Sequence, residues 1–196
     1  METYKGTNIF YAENQSAWRE WLATNHETQE NVWLQIFKKE SGVSTIYYPE
    51  AVDEALCFGW IDSVANKNDD YSYFQFFSKR KPKSNWSRVN KEKVARLIAT
   101  NQMQPAGLKM VDLAKQNGCW NALDGVENLE IPQDLEAEFQ KYEQAAYFFK
   151  QFSRSAQKGL LEWICSAKTI PTRQRRIAET AQLAAVNQKA NQYIKK

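Results

Sequence analysis

The sequence predicts an α+β protein: a small sheet with packed helices in the N-terminal part, and an all-helical C-terminal part. Three observations predict it. The runs Val32–Lys38 and Tyr71–Phe77 are rich in aromatic and β-branched residues and carry no breaker, as strands do. Apolar residues elsewhere recur at helical spacing, beginning with Trp18, Trp21 and Leu22 at i, i+3 and i+4. After Ser87 the strand signal disappears.

Taken in order, a first helix is expected over Ser16–Thr24 and a strand over Val32–Lys38, followed by a turn at Ser41-Gly42. Pro49 suits the first turn of a helix, where its missing N–H costs nothing. That helix carries Val52, Ala55 and Leu56 inward and ends near Gly59. Ile61–Val64 reads as a short strand, and Asn66-Lys67-Asn68-Asp69-Asp70 as a turn. In the next strand Tyr71, Tyr73 and Phe77 share one face, and Phe74 and Phe76 the other. Aromatics on both faces predict that both are covered. Ser87 or Asn90 caps a helix running to Ala99, and Pro105 opens another that ends at Asn117-Gly118. Residues 118–130 read as a loop. Further helices are expected from Pro132, over Gln144–Phe152, over Ser155–Ala167, and from Thr172 to the C-terminus. The charged turn at 79–86 suggests an α+β domain over 1–86 with a helical domain over 87–196 packed on it.

With 43% hydrophobic residues, the chain can build a core and is not of the disordered class. Seven Trp, nine Tyr and ten Phe are more rings than a surface carries, so most are expected to be buried. No apolar run is long enough to span a membrane, and the N-terminus lacks a basic and then apolar leader, so a cytoplasmic location is expected. The three cysteines, Cys57, Cys119 and Cys165, are odd in number and widely spaced. They predict no disulfide framework and no zinc site; each is expected to be a small buried hydrophobe. No cofactor or metal is expected.

Net charge is only +3, but it is blocked along the chain. Residues 1–78 carry −7, residues 79–115 +8, residues 116–153 −5 and residues 154–196 +7. Such blocks either pair with one another or leave two basic faces exposed. The small total argues against a dedicated nucleic-acid binder, whose footprint is strongly basic.

Glu50, Asp53 and Glu54 lie near the start of the second helix. They suit acid–base chemistry, but acids there also complement the helix dipole, which is the plainer reading. Asp62 follows the apolar run Phe58-Gly59-Trp60-Ile61, so it is expected to be half-buried and to need a partner such as Arg80 or Lys81. Cys57 as a nucleophile would need a base, and the only histidine is His26. No phosphate-cradling glycine motif occurs. The run Lys79-Arg80-Lys81-Pro82-Lys83-Ser84-Asn85-Trp86-Ser87 is the leading candidate site, with positive charge, a stacking ring and a helix start in one loop. Its alternative is a solvated loop with Trp86 as a core plug. Lys168, Arg173, Arg175 and Arg176 form a second basic set around a helix start, or a helix surface paired with the preceding acidic block.

The run Tyr48-x-Glu50-Ala51-Val52-Asp53-Glu54-Ala55-Leu56-Cys57-Phe58-Gly59-Trp60-Ile61-Asp62-Ser63 resembles the bacteriocin-protection, YdeI/OmpD-associated family of bacteria. So do Arg80-Lys81-Pro82-Lys83-Ser84-x-Trp86-Ser87-x-x-Asn90 and Met103-x-Pro105-Ala106-Gly107. The tail adds Trp163-Ile164-x-Ser166-Ala167-Lys168 and Thr172-Arg173-x-x-Arg176-Ile177. Lys79 departs from the pattern, where the family often has proline. The resemblance implies a stress-protection role and no established reaction. It also implies a shared surface that includes Glu50, Asp53, Asp62, Arg80, Lys81, Trp86, Lys168 and Arg173.

Together these readings favour a binding module for a small anionic ligand or a protein partner. Two alternatives stay open: an enzyme with Asp62 or Glu54 as general base, and a nucleic-acid binder using both basic blocks. No catalytic residue is assigned.

Overall fold

A computed structural model describes residues 2–190. By contacts the chain divides into two compact units, 1–121 and 122–196.

The first unit is built on a five-stranded sheet. Its strands are β1 (Thr3–Tyr4), β2 (Thr7–Tyr11), β3 (Asn31–Phe37), β4 (Trp60–Lys67) and β5 (Ser72–Lys79), in the order β1-β2-β3-β5-β4. Only β2 and β3 pair in parallel, because helix α1 (Gln15–Asn25) crosses between them. β1 and β2 lie outside the sequence expectation. They form a hairpin through Lys5 and Gly6, both at positive φ. A Lys-Gly pair there carries a weaker hairpin signal than Asn-Gly.

One sheet face holds Val32, Leu34, Ile36 and Phe77. It is covered by Trp18 and Leu22 of α1, by α2 (Tyr48–Cys57), and by the later helices α3 (Arg88–Ala99) and α4 (Pro105–Gln116). The other face carries Trp33 against Tyr4, Phe74 and Phe76 at ring separations of 5.2, 6.4 and 4.7 Å. Tyr73 and Phe77 share one face and Phe74 and Phe76 the other, as alternation requires. Tyr71 precedes the strand and is exposed. β4 is longer than the expected Ile61–Val64, and a bulge between Asp62 and Ala65 breaks its register.

A division at 86 would assign α3 and α4 to the helical half. By contacts they belong with the sheet, because Val94, Leu97, Val111 and Ala114 lie in the same core cluster as Leu34 and Phe77. α4 approaches the end of α2 so closely that a Cβ on Gly107 would lie 2.3 Å from the Cys57 carbonyl oxygen. Gly59, at φ 75°, ends the α2 turn, and its N–H donates to the Leu56 carbonyl at 3.2 Å.

The second unit is helical: α5 (Asp124–Glu127), α6 (Gln133–Phe139), α7 (Ala145–Gln151), α8 (Arg154–Cys165) and α9 (Ile170–Ala185). Its core is Leu135, Phe139, Phe149, Leu160, Leu161, Ile164, Ile177 and Ala181. The single turn of α5 falls inside the segment expected to be a loop. α9 begins earlier than Thr172, because Thr169 is the cap and its Oγ1 accepts the Thr172 N–H at 3.3 Å. The end of that expected helix beyond residue 190 lies outside the described residues. No described helix is long and apolar enough to cross a membrane.

Candidate functional site

Arg80 directly follows β5, where the chain leaves the sheet, and its N–H donates to the Gly59 carbonyl at 2.9 Å. The residue is only 5% exposed. The guanidinium carbon sits 3.6 Å from the centroid of the Trp86 ring, and Nη2 donates to the Asn85 carbonyl at 2.6 Å. Nε and Nη1 are buried without a hydrogen-bond partner. Among the described residues no carboxylate lies within ion-pair distance of Arg80. Burial pushes its pKa down to about 10, with only partial relief from the charge of Asp62. The side chain therefore stays charged at neutral pH while lacking the counter-ion that a buried charge ordinarily has.

Arg80 lines a cleft of the first unit, about 730 Å³ in volume. The end of α1 contributes Ala23, His26 and Glu27; the α2–β4 turn, Phe58, Gly59 and Trp60; and α4, Pro105, Ala106, Lys109 and Met110. The N-terminus of α4 carries Pro105 and has no side-chain cap. Lys79 also lines the cleft but is engaged, donating to Glu30 at 2.7 Å and to the Glu27 carbonyl at 2.9 Å. His26 Nδ1 donates to the Leu22 carbonyl at 2.9 Å.

The loop after Arg80 is fixed at both ends. The Trp86 N–H donates to the Cys119 carbonyl at 3.3 Å, and Asn117 Nδ2 donates to the Pro82 carbonyl at 2.8 Å. Trp86 is buried and packs on Trp120, with ring centroids 5.0 Å apart. The loop thus has a core plug, as one reading of the sequence held, and that plug also carries the Arg80 cation. Lys81 and Lys83 point into solvent.

Asp62 lies on β4 and accepts the Tyr48 hydroxyl at 2.6 Å rather than pairing with Arg80 or Lys81. Burial and that bond push the Tyr48 hydroxyl well above its ordinary pKa. The acids of α2 serve its packing. Glu50 accepts the Tyr47 N–H at 3.2 Å, in a capping box. Asp53 pairs with Lys93 at 2.5 Å and also with Arg96. Buried Glu54 has both oxygens engaged, by Gln15 and Arg19, each at 2.6 Å. Cys57 is fully buried, and burial pushes its thiol up to about 11, so the thiolate a nucleophile needs is scarce. Cys119 is half-buried and Cys165 exposed, so only Cys57 fits the expectation of buried cysteines.

Lys168, Arg173 and Arg176 lie in the second unit. Arg173 grips Asp134 through two bonds of 2.7 and 2.9 Å. Arg176 donates to the Trp163 carbonyl and to Ser166 Oγ, covering the last carbonyls of α8. Lys168 is exposed. The cleft residues that sequence reasoning did not single out are Ala23, Glu27, Gln104, Lys109 and Met110. For Lys109 and Met110 the nearby signal was Pro105, within the Met103-x-Pro105-Ala106-Gly107 motif, which marked a helix start without showing what it faces. No group of three or more His, Cys, Asp or Glu residues that could hold a metal occurs among the described residues.

Two family models match the chain. One, described as a domain of unknown function (DUF8412), matches residues 10–110 and so covers β3, β4 and β5, the Arg80 loop and the cleft. The other, Bacteriocin-protection, YdeI or OmpD-Associated, matches residues 128–187, where the motifs around Trp163 and Arg173 lie. No curated protein and no solved structure matches the chain. Through residues 10–110 the chain belongs to the DUF8412 family, and at residues 128–187 it carries a bacteriocin-protection, YdeI- or OmpD-associated domain.

Proposed function

We propose that the first unit is an anion-binding module with Arg80 as its anchor. The observation that carries this is an arginine 5% exposed, with no carboxylate of the described residues within ion-pair distance, two nitrogens unpartnered and a cleft beside it. Burying an uncompensated charge is costly, and a bound anion is what would offset it. The full occupancy of Glu54 argues for binding over general-base catalysis by that residue. Lys81 and Lys83 at the loop tip serve in this reading to attract the anion and not to hold it, because exposed charges steer association more than they fix a bound pose.

The family description matched at residues 128–187 supports a protective role for the whole protein, with anion recognition by the first unit as one part of it. Thermal denaturation in acetate, sulfate and phosphate tests the binding. A ligand at a hundred times its Kd stabilises by about 2.7 kcal/mol, so the natural protein should melt higher in at least one of these salts. Arg80→Met should remove the rise. An equal rise in both proteins would overturn the reading.

A further inference from the structure

We infer that the anion taken by the Arg80 cleft is amphipathic: a singly charged head, such as a carboxylate, on an apolar body. The inference rests on the anion-binding reading above and adds the chemistry of the rest of the ligand.

The charge count sets the head. Three cations line the cleft: Lys79, Arg80 and Lys109. Lys79 is held by Glu30 and the Glu27 carbonyl, and Lys109 is solvent-exposed on α4. That leaves one buried positive charge. Glu27 is also a lining residue; its side chain is 84% exposed, with Oε1 3.9 Å from His26 Nε2, and it adds negative charge at the rim. A monoanion is matched by Arg80 alone, whereas the second charge of a phosphate dianion would have only the exposed Lys109 to meet it, with Glu27 also on the lining.

The walls set the body. Ala23, Phe58, Pro105, Ala106 and Met110 present carbon to the cleft. Met110 lies so near Gly59 that a Cβ on that glycine would approach its Cγ to 2.9 Å, so the apolar wall is continuous from the α2–β4 turn to α4. A volume of about 730 Å³ far exceeds what an inorganic anion fills. It falls within the range of roughly 300–1,000 Å³ typical of small-molecule sites, which are mostly apolar with a few placed polar groups.

The test is calorimetry on the full chain with acetate, butanoate, hexanoate, octanoate, 3-phenylpropanoate and inorganic phosphate. Affinity is expected to rise roughly three- to fourfold per buried methylene, with octanoate tighter than phosphate. Met110→Gln should cut the octanoate gain by about threefold or more, and Arg80→Met should abolish binding of every probe. A flat series, or phosphate tighter than octanoate, with Arg80→Met still abolishing binding, would overturn the apolar body and leave the anion site standing. No Arg80-dependent binding of any probe would overturn both. Should Met110→Gln fail to fold, the chain-length series on the natural protein carries the test alone.

Discussion

The Arg80 guanidinium is held 3.6 Å from the centroid of the Trp86 ring, and Trp86 packs in turn on Trp120 at 5.0 Å. Lys91 and Lys115 lie 5.8 and 5.4 Å from the Trp120 ring. A buried cation is thus positioned by aromatic faces and one carbonyl instead of by an acid. Ring faces attract a cation but do not neutralise it.

Arg80→Met should therefore leave the fold as stable as before, or up to about 2 kcal/mol more stable, because an unpaired buried charge is replaced by an apolar chain of similar length. Urea denaturation measures this. A loss of more than about 1 kcal/mol would make Arg80 a structural strut.

Glu54→Gln should behave in the opposite way. It leaves Arg19 without its carboxylate and puts a new donor into a buried position. Because Arg19 is 33% exposed, the expected cost is about 2 kcal/mol, below that of a fully buried pair. The same denaturation experiment reads it.

Gly107→Ala places a methyl 2.3 Å from the Cys57 carbonyl oxygen, a backbone atom that cannot swing away. The expected cost is about 2 kcal/mol or more. Leu108→Ala, one residue on and exposed, should change stability by no more than about 0.5 kcal/mol. Similar midpoints for the two variants would contradict the close approach of α4 to α2.

In the second unit, the Arg173 guanidinium holds the Asp134 carboxyl below the usual carboxylate range. A group whose folded pKa is depressed stabilises fully above its unfolded value and loses that stabilisation as pH falls through the folded one. Arg173→Gln should therefore lower stability near about pH 7 and converge with the natural protein near about pH 2. Asp134 is 47% exposed, so the difference should be small and should shrink further in salt. A constant gap across the pH range would contradict the linkage.

Alkylation should follow burial. Iodoacetamide is expected to modify Cys165 first, Cys119 more slowly, and Cys57 only on unfolding. Peptide mass spectrometry at timed intervals gives the order. Early labelling of Cys57 would show that its environment opens in solution.

The sequence by itself determined the fold class and most of the helices, because those depend on local signals. Periodic apolar residues mark the faces of α1 and α2; Ser87 caps α3, and prolines open α2 and α4. It placed Arg80 and Trp86 in one loop, with five residues between them, but offered Asp62 as the partner of Arg80, and Asp62 is taken by the Tyr48 hydroxyl. It missed β1 and β2, whose turn lacks the usual residues, and it placed the cap of α9 three residues late, because Thr169 and Thr172 are equally good caps in isolation. Only the tertiary structure decided which acids were already occupied. Gln15 and Arg19 reach Glu54 across 39 and 35 residues, and Lys93 reaches Asp53 across 40. It alone set Arg80 beside Met110 and Ala106, residues on a helix that begins well downstream of the loop. Charge pairing and cleft walls arise from chain crossings between distant segments, and no local pattern records them.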